Sequence, residues 1–298
     1  MANKLKTVTS RILEASVQIA QDKPEGADFL HSVMCQVGLP RSKVQERSFS
    51  RKSGGVHIKV EAGDLWDGKK LVPMPLPYGT KPRLALIHIS SEAVRTQSKM
   101  IDAGNSIHAF LKRIGLSTDG RGYAMFKNQM SALASCNLTI GANFYDNKNR
   151  ETAKTLRVQP VEQFHAWLHP TGKQKAFWNG ELVLTESFYQ TLIQHAVPLD
   201  KRALKALAHS ALALDCYTWM AHRLCRINRP KVFLTWANLR EQFGQEYTNH
   251  QNFKKAFMQS MGSALAVYPQ AHVQFVNRGL ELRPSAPPLE RTKVFIER

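Results

Sequence analysis

A predicted helix at about 122–135 carries side chains that could read the edges of DNA bases. Phe126, Met130 and Leu133 recur at helical spacing and form its buried stripe. The opposite face holds basic and amide groups, and three of these are candidates for DNA contact: Arg121, Lys127 and Asn128. Arginine and asparagine match the donor and acceptor patterns of guanine and adenine in the major groove, whereas a lysine meets a phosphate as readily. A merely solvated helix face is the alternative.

A second predicted helix, at about 249–266, has the same arrangement. Phe253, Phe257 and Met261 point inward at helical spacing. The exposed candidates for DNA contact are polar or cationic: His250, Gln251, Lys254, Lys255 and Gln259. The same two interpretations apply to this face, since amides and cations suit both base reading and solvation.

Each of these helices is followed by a predicted β-hairpin. After the first helix, residues 138–142 and 156–158 alternate around a basic loop at 146–154. After the second helix, residues 272–282 form two strands joined by the tight turn Val276–Gly279. The cations of these tips are candidates for contact with the DNA backbone or the minor groove: Lys148, Arg150, Lys154 and Arg278. A hairpin tip that is charged only for solubility is the alternative.

Two ten-residue segments position the candidate helices: SIHAFLKRIG at Ser106–Gly115 and TWANLREQFG at Thr235–Gly244. Each begins with a helix N-cap residue, has one apolar face and ends at a glycine. A helix and a short strand precede each segment, so the order helix, strand, helix, helix, hairpin occurs twice. We therefore predict an α+β protein with two winged-helix domains in tandem.

The predicted domain bounds follow from composition. Residues 1–55 are basic and polar, and we expect them to be partly flexible. The polar stretch TGKQK at 171–175 separates two winged-helix domains, and a proline-rich tail ends the chain. The four predicted segments are the N-terminal segment 1–55, the first domain 56–172, the second domain 176–284 and the tail 285–298.

The charge balance indicates the class of partner. The 41 Lys and Arg residues against 23 Asp and Glu give a formal charge of +18, which favours a polyanion, with DNA first. An anionic membrane surface competes, but no apolar run approaches the roughly 20 residues of a transmembrane helix. The N-terminus also lacks the pattern of a signal peptide. We expect a cytoplasmic protein with no membrane partner.

The residue types that enzymes and metal sites need do not cluster in this sequence. The cysteines form no CxxC pair and are expected to be reduced core residues: Cys35, Cys136, Cys216 and Cys225. Gly172-Lys173 is followed by Gln174 and lacks the upstream glycine of a phosphate loop. No His-x-His pair with a hydrophobic centre is present, as a metal-dependent nickase would need. We expect no catalytic site, no metal and no cofactor.

Residues 83–115, RLALIHISSEAVRTQSKMIDAGNSIHAFLKRIG, resemble the plasmid-encoded RepA replication initiator family. Members of that family carry a helix ending in TEAVRT, a GDS-type cap and a FLRRLG-like helix. The resemblance continues through 211–222, ALALDCYTWMAH, and covers most of residues 80–284. Asn105-Ser106 stands here where the family usually has Asp-Ser, and Ser106 still supplies a capping hydroxyl.

The resemblance implies a protein that binds direct repeats in the double-stranded DNA of a plasmid origin and helps to open the duplex. It also implies a dimer that represses its own gene, a monomer that initiates, and host replication proteins as partners. The residues alone allow a second function, that of a winged-helix transcriptional repressor with no role in replication. Direct repeats beside an A·T-rich stretch would favour initiation, and one palindrome over a promoter would favour repression. If both modules read DNA, we expect adjacent contacts on one duplex about 10 base pairs apart.

Overall fold

The computed structural model describes residues 2–24, 26–102, 111–112, 120–145, 151–164 and 181–289. The chain forms two compact units. We call residues 37–195 the central unit, and residues 1–36 together with 196–298 the terminal unit.

Both units contain helices and antiparallel strands, which confirms the predicted α+β class. The helices are α1 (Ala2–Gln21), α2 (Ser32–Gln36), α3 (Thr80–Thr96), α4 (Gly120–Ser135), α5 (Glu186–His195), α6 (Lys201–Leu207), α7 (Ala211–Arg223), α8 (Trp236–Phe243) and α9 (His250–Ala266). The strands are β1 (Ala27–His31), β2 (Ser48–Ser53), β3 (Val56–Glu61), β4 (Asp64–Trp66), β5 (Leu71–Pro73), β6 (Met100–Asp102), β7 (Asn137–Tyr145), β8 (Glu151–Val158), β9 (Val161–Phe164), β10 (Glu181–Leu184), β11 (Ala196–Asp200), β12 (Val232–Thr235), β13 (Val273–Val276) and β14 (Gly279–Leu282).

Antiparallel sheets organise the central unit. One sheet has the order β2-β3-β7-β8, and its register places Ile58 opposite Ile140 and Val60 opposite Leu138. All four of these side chains are buried, because alternate residues of each strand face the core. A three-stranded sheet has the order β6-β10-β9, so its last strand in sequence lies in the middle. The helix α3 packs against α4 and α5 and is buried on nearly every side.

The terminal unit is built around α7, whose residues from Leu212 to Ala221 are all buried. Aromatic contacts fix α8 and α9 against it. The ring centroids of Trp219 and Phe243 lie 5.5 Å apart in an edge-to-face arrangement, and those of Phe243 and Phe257 lie 5.3 Å apart. A three-stranded sheet of order β12-β14-β13 completes this part of the unit, again with the last strand in the middle.

Helices and strands occupy much of the N-terminal segment 1–55, for which the sequence predicts partial flexibility. The helix α1 packs on α6 and α9, and β1 pairs with β11 along its whole length. Arg202 Nη1 donates to the carbonyl oxygens of Gln18 at 3.1 Å and Asp22 at 2.9 Å. These partners lie far along the chain, so local composition gave no sign of them.

The structure also divides the chain differently from the predicted bounds. The sequence assigns β10 and α5 to the second domain, 176–284, yet β10 pairs with β6 and β9, and α5 packs on α3. Both elements therefore belong to the central unit. The predicted boundary at 171–175 lies outside the described residues. Of the predicted helix 106–114, only Leu111 and Lys112 are described, and both are helical.

The first predicted hairpin is present, but it occupies another position in the fold. The strands β7 and β8 pair from Leu138 opposite Val158 to Tyr145 opposite Glu151, and they extend the sheet that β2 and β3 begin. The sheet order β12-β14-β13 of the terminal unit is matched in the central unit by β6-β10-β9. The counterparts of β13 and β14 are therefore β9 and β10, and the residues that connect them, 165–180, lie outside the described residues.

Candidate nucleic-acid interface

The helix α9 presents one exposed face along its whole length, and the polar and cationic residues of this face are concentrated in the first half of the helix. Its start is fixed by Asn249, whose Oδ1 accepts hydrogen bonds from Gln251 N at 2.7 Å and Asn252 N at 3.1 Å. Phe253, Phe257, Met261 and Ala264 are fully buried, as the helical spacing predicts. The exposed residues are His250, Gln251, Asn252, Lys255, Met258, Gln259, Gly262 and Ala266. Four of the five α9 candidates thus lie on a surface that a ligand can reach.

Lys254 differs from the other candidates because Trp236 partly covers it. Its Nζ lies 4.8 Å from the centroid of the Trp236 ring, in a cation–π contact, and the residue is half-buried. The prediction that Lys254 is exposed is therefore only partly right. Trp236 itself is half-buried, at the first position of α8.

Trp236 also joins α9 to the hairpin of β13 and β14. Its ring meets Phe257 edge-to-face at 6.2 Å, and its Nε1 donates to the carbonyl oxygen of Asn277 at 3.3 Å. Its backbone N donates to the carbonyl oxygen of Arg278 at 3.1 Å. Trp236 therefore brings Lys254 and the exposed Arg278 to one part of the surface, and the tight turn predicted at 276–279 is confirmed.

Gly279 holds this turn close to the start of α8. Its φ is +153°, and a Cβ built on it would lie 1.9 Å from the carbonyl oxygen of Leu234. Only glycine allows the two backbones to approach so closely. The short hairpin thus packs closely against the N-terminal end of α8, where Thr235 forms a capping box with Asn238.

The corresponding helix of the central unit, α4, is exposed only in its first half. Asn128 is exposed and Lys127 is half-buried, and burial lowers the pKa of Lys127. The side chain of Arg121 lies outside the described residues. From Gln129 to Ser135 every residue is buried, because α3, β4 and β9 all contact α4. Tyr78 N also donates to Gln129 Oε1 at 2.7 Å.

A cavity of about 390 Å³ lies beside the exposed half of α4. Asn128 lines it together with residues 43–47 and 73–76. Arg47 is among them, and its Nη2 donates to the carbonyl oxygen of Ala62 at 2.9 Å and to Asp64 Oδ1 at 3.0 Å. The reading face predicted for α4 is therefore smaller than that of α9, and it is bordered by chain segments that precede α4 in sequence.

The cationic side chains of the first predicted wing are not among those that the structure describes. Lys148 and Arg150 lie outside the described residues. Lys154 lies in β8 opposite Ala142 of β7, and its side chain is not among those described. The structure therefore brings together α9 and Arg278, and it leaves the basic tip of the β7–β8 hairpin as a prediction.

The described residues hold no group of three or more His, Cys, Asp or Glu side chains that could bind a metal ion. No described helix is long and apolar enough to cross a membrane. Burial raises the pKa of the Cys136 thiol to about 12 and that of Cys35 further. Cys225 is exposed, so the prediction that all four cysteines lie in the core is wrong for that residue.

Comparison with known proteins identifies the family to which the sequence is similar. The model of a family described as plasmid-encoded RepA protein matches residues 76–238. No match is found among curated proteins. A crystal structure of domains 2 and 3 of RctB, as its selenomethionine derivative, is similar with a TM-score of 0.51 and 10% identity over 87% of this chain and 99% of that one. A second structure of RctB domains 2–3 gives 0.50 and 12% over 86% and 97%. At these identities the likeness concerns the fold alone.

Proposed function

The chain belongs to the plasmid-encoded RepA protein family, and from that membership we propose that it initiates plasmid replication by binding repeated sites in the origin and promoting opening of the duplex. The observation that carries the proposal is the open face of α9, joined through Trp236 to the cationic hairpin tip at Arg278. A helix that enters the major groove beside a hairpin that meets the backbone is the usual geometry of such DNA-binding modules.

We propose that both units are winged-helix modules. In the terminal unit α7, β12, α8, α9, β13 and β14 follow the order helix, strand, helix, helix and two strands. The central unit has the same order through α3, β6, α4, β9 and β10, with the predicted helix 106–114 at the remaining position and the strands β7 and β8 inserted between α4 and β9. The shared sheet orders, β12-β14-β13 and β6-β10-β9, support the proposal because the final strand is central in both.

The side chains of α9 differ in which parts of DNA, base edges or phosphates, they can contact. Gln251, Lys255 and Gln259 are spaced by four residues and share one exposed face of the helix. A glutamine amide can bond both polar atoms of an adenine edge, whereas a lysine can meet guanine or a phosphate. Lys254, held over the Trp236 ring, supplies a positioned positive charge, and Arg278 meets the backbone from the hairpin. His250 adds a ring nitrogen at the first turn of the helix.

The role of α4 follows from its smaller exposed area. Asn128 and Lys127 are placed to contact DNA from the first half of the helix, with Arg121 one turn or more before them. Because the second half of α4 is buried, we propose that the central unit makes fewer base contacts than the terminal unit. The cations Lys148, Arg150 and Lys154 remain candidates for contact with phosphates.

In the proposed function, the protein acts by binding and deforming DNA, without a catalytic site or cofactor of its own. Family membership is also the ground for proposing a dimer that represses its own gene and for host replication proteins as partners. No described surface is assigned to either. The transcriptional repressor remains the second candidate function, because binding through α9 serves repression equally well.

The α9 interface is tested by replacing single residues of its face. Gln251→Ala should weaken binding to a duplex that carries the origin repeats by roughly 5- to 150-fold, since a bidentate base contact is worth about 1–3 kcal/mol. Binding to a duplex of random sequence should hardly change. Lys255→Ala should lower the affinity for both duplexes if the ammonium meets phosphate.

The matched control is Lys205→Ala, which removes an exposed lysine from α6 of the same unit. It should bind both duplexes as the parent protein does. If Gln251→Ala and Lys255→Ala also bind like the parent, α9 does not read DNA. Equal losses for Lys205→Ala and Lys255→Ala would indicate a general charge effect and would likewise contradict the interface.

Initiation and repression are separated by opening of the origin. With the protein bound to a supercoiled plasmid that carries the origin, unpaired thymines in the A·T-rich stretch should react with permanganate. Tight binding to the repeats with no reactive thymines would contradict the initiator role and favour the repressor.

A further inference from the structure

The hairpin of β4 and β5 places two large apolar side chains in solvent. Trp66 and Leu71 lie directly opposite each other in the antiparallel register. They are 57% and 64% exposed, which places them among the most exposed large apolar residues that the structure describes. A pair of this kind contributes little to a core, and exposed apolar surface that is contiguous marks a site of interaction.

The tip of the hairpin is closed by hydrogen bonds and carries two lysines. Asp67 Oδ1 accepts hydrogen bonds from Lys69 N at 2.8 Å and Lys70 N at 2.9 Å, and Asp67 N donates to the carbonyl oxygen of Lys70 at 3.1 Å. These backbone donors lower the pKa of Asp67, so the carboxylate stays ionised and keeps the turn closed. Lys69 and Lys70 are exposed beside the apolar pair.

The base of the hairpin is attached to α4. Met74 N donates to the carbonyl oxygen of Gly63 at 3.0 Å, which closes the base. A Cβ on Gly63 would lie 2.0 Å from the carbonyl oxygen of Ser135, so the backbone rests directly on the end of α4. Met74 also lines the cavity that Asn128 borders. The base of the hairpin therefore lies beside the cavity that Asn128 of α4 lines.

We propose that this hairpin binds single-stranded DNA, with an unpaired base stacked on Trp66 and packed against Leu71 and the adjacent phosphates held by Lys69 and Lys70. The proposal rests on the proposed function, because opening of an origin exposes unpaired bases beside the bound initiator. An indole face stacks on any base, whereas in a duplex the base faces are already covered by their neighbours. Lysines are depleted from the centres of protein–protein interfaces, so the two lysines beside Trp66 favour a nucleic acid.

The test compares binding of the full chain to a single-stranded oligothymidylate and to a duplex that carries the origin repeats. Trp66→Ala should weaken oligothymidylate binding by roughly 5- to 150-fold, the range for one stacked base, and leave duplex binding within about twofold of the parent. Trp66→Phe should restore part of the loss, because the smaller ring still stacks. Replacing both Lys69 and Lys70 by Ala should reduce the salt dependence of oligothymidylate binding by about 1.4 in slope.

Phe233→Ala is the matched control, since Phe233 is an aromatic residue 48% exposed in the terminal unit. It should bind the oligothymidylate as the parent does. The proposal is overturned if Trp66→Ala binds oligothymidylate normally, if it loses affinity for duplex and single strand equally, or if Trp66 is needed for binding anionic phospholipid vesicles or for self-association instead. Failure of the α9 interface is seen separately, as unchanged duplex binding by Gln251→Ala.

Discussion

Two glycines of the terminal unit should respond to alanine in opposite directions. At Gly279 the added Cβ would lie 1.9 Å from the carbonyl oxygen of Leu234 and 3.0 Å from Thr235 Cα, and both are backbone atoms. At Gly262, on the exposed face of α9, nothing lies within 4 Å of the added Cβ. Gly279→Ala must therefore push β12 away from β14, whereas Gly262→Ala only replaces a poor helix former by the best one.

The two effects differ in size as well as sign. The backbone conformation at Gly279 costs an alanine about 1–3 kcal/mol, and loss of one or two strand hydrogen bonds adds about 1 kcal/mol each. We expect Gly279→Ala to lower the free energy of unfolding by about 2–5 kcal/mol. Gly262→Ala should raise it by about 0.5–1 kcal/mol.

Urea unfolding followed by tryptophan fluorescence measures both changes. Trp219 and Trp236 report on the terminal unit, where both glycines lie. The midpoint should fall for Gly279→Ala and rise for Gly262→Ala. A parent-like midpoint for Gly279→Ala would refute the close approach of the hairpin to β12, and a lower midpoint for Gly262→Ala would refute the open face of α9.

Three further outcomes are expected. Leu239→Ala, which empties a fully buried site of α8, should lower the free energy of unfolding by about 2–5 kcal/mol. Thermal stability equal to that of the parent would contradict the assignment of Leu239 to the buried face of α8. Burial, with Arg226 and Arg223 nearby, lowers the pKa of His222 from 6.5 to about 4. The folded chain keeps this ring neutral, so stability present above about pH 6.5 is lost as the pH falls towards 4, by at most about 3 kcal/mol before solvent screening. His222→Gln should flatten that dependence, and an unchanged slope in acid denaturation would contradict it. Finally, if the interface neutralises about 6 to 10 phosphates, affinity should fall by roughly 10³ to 10⁵ between about 50 and 200 mM salt, and a flat response would contradict the electrostatic account.

The second reading helix was predictable because its signals are local. The spacing of Phe253, Phe257 and Met261 defined the inward face, and the predicted range 249–266 differs from α9 by one residue. The environment of Lys254 was not predictable in the same way. Its partner Trp236 comes from the preceding helix, so no periodicity within α9 indicates the cation–π contact.

Contacts between distant parts of the chain account for the remaining differences. The sequence could not show the contact of Tyr78 with Gln129, at the start of the buried half of α4, because the two residues are 51 positions apart. For the same reason the sequence places β10 in the second domain, although β10 pairs with β6 and β9 of the central unit. Strand pairing over such distances leaves no local pattern, whereas helix periodicity, caps and tight turns do.

The exposed apolar pair of the β4–β5 hairpin cannot be recognised from composition alone. Asp67 closes the turn of this hairpin by accepting hydrogen bonds from Lys69 N and Lys70 N. The exposed pairing of Trp66 with Leu71 becomes visible only when the strand register is known, since either residue alone would pass for an ordinary part of a core.

The central claim is that the exposed face of α9 lies against the DNA of the origin repeats. Its most direct test is photo-crosslinking with p-benzoylphenylalanine introduced in place of Gln259, with the same replacement of Lys205 in α6 as the control position. We predict that Gln259→p-benzoylphenylalanine crosslinks to nucleotides inside the repeat and that the Lys205 replacement does not crosslink to DNA. Crosslinking from position 205 but not from position 259, in a protein that still binds the repeats, would contradict the claim.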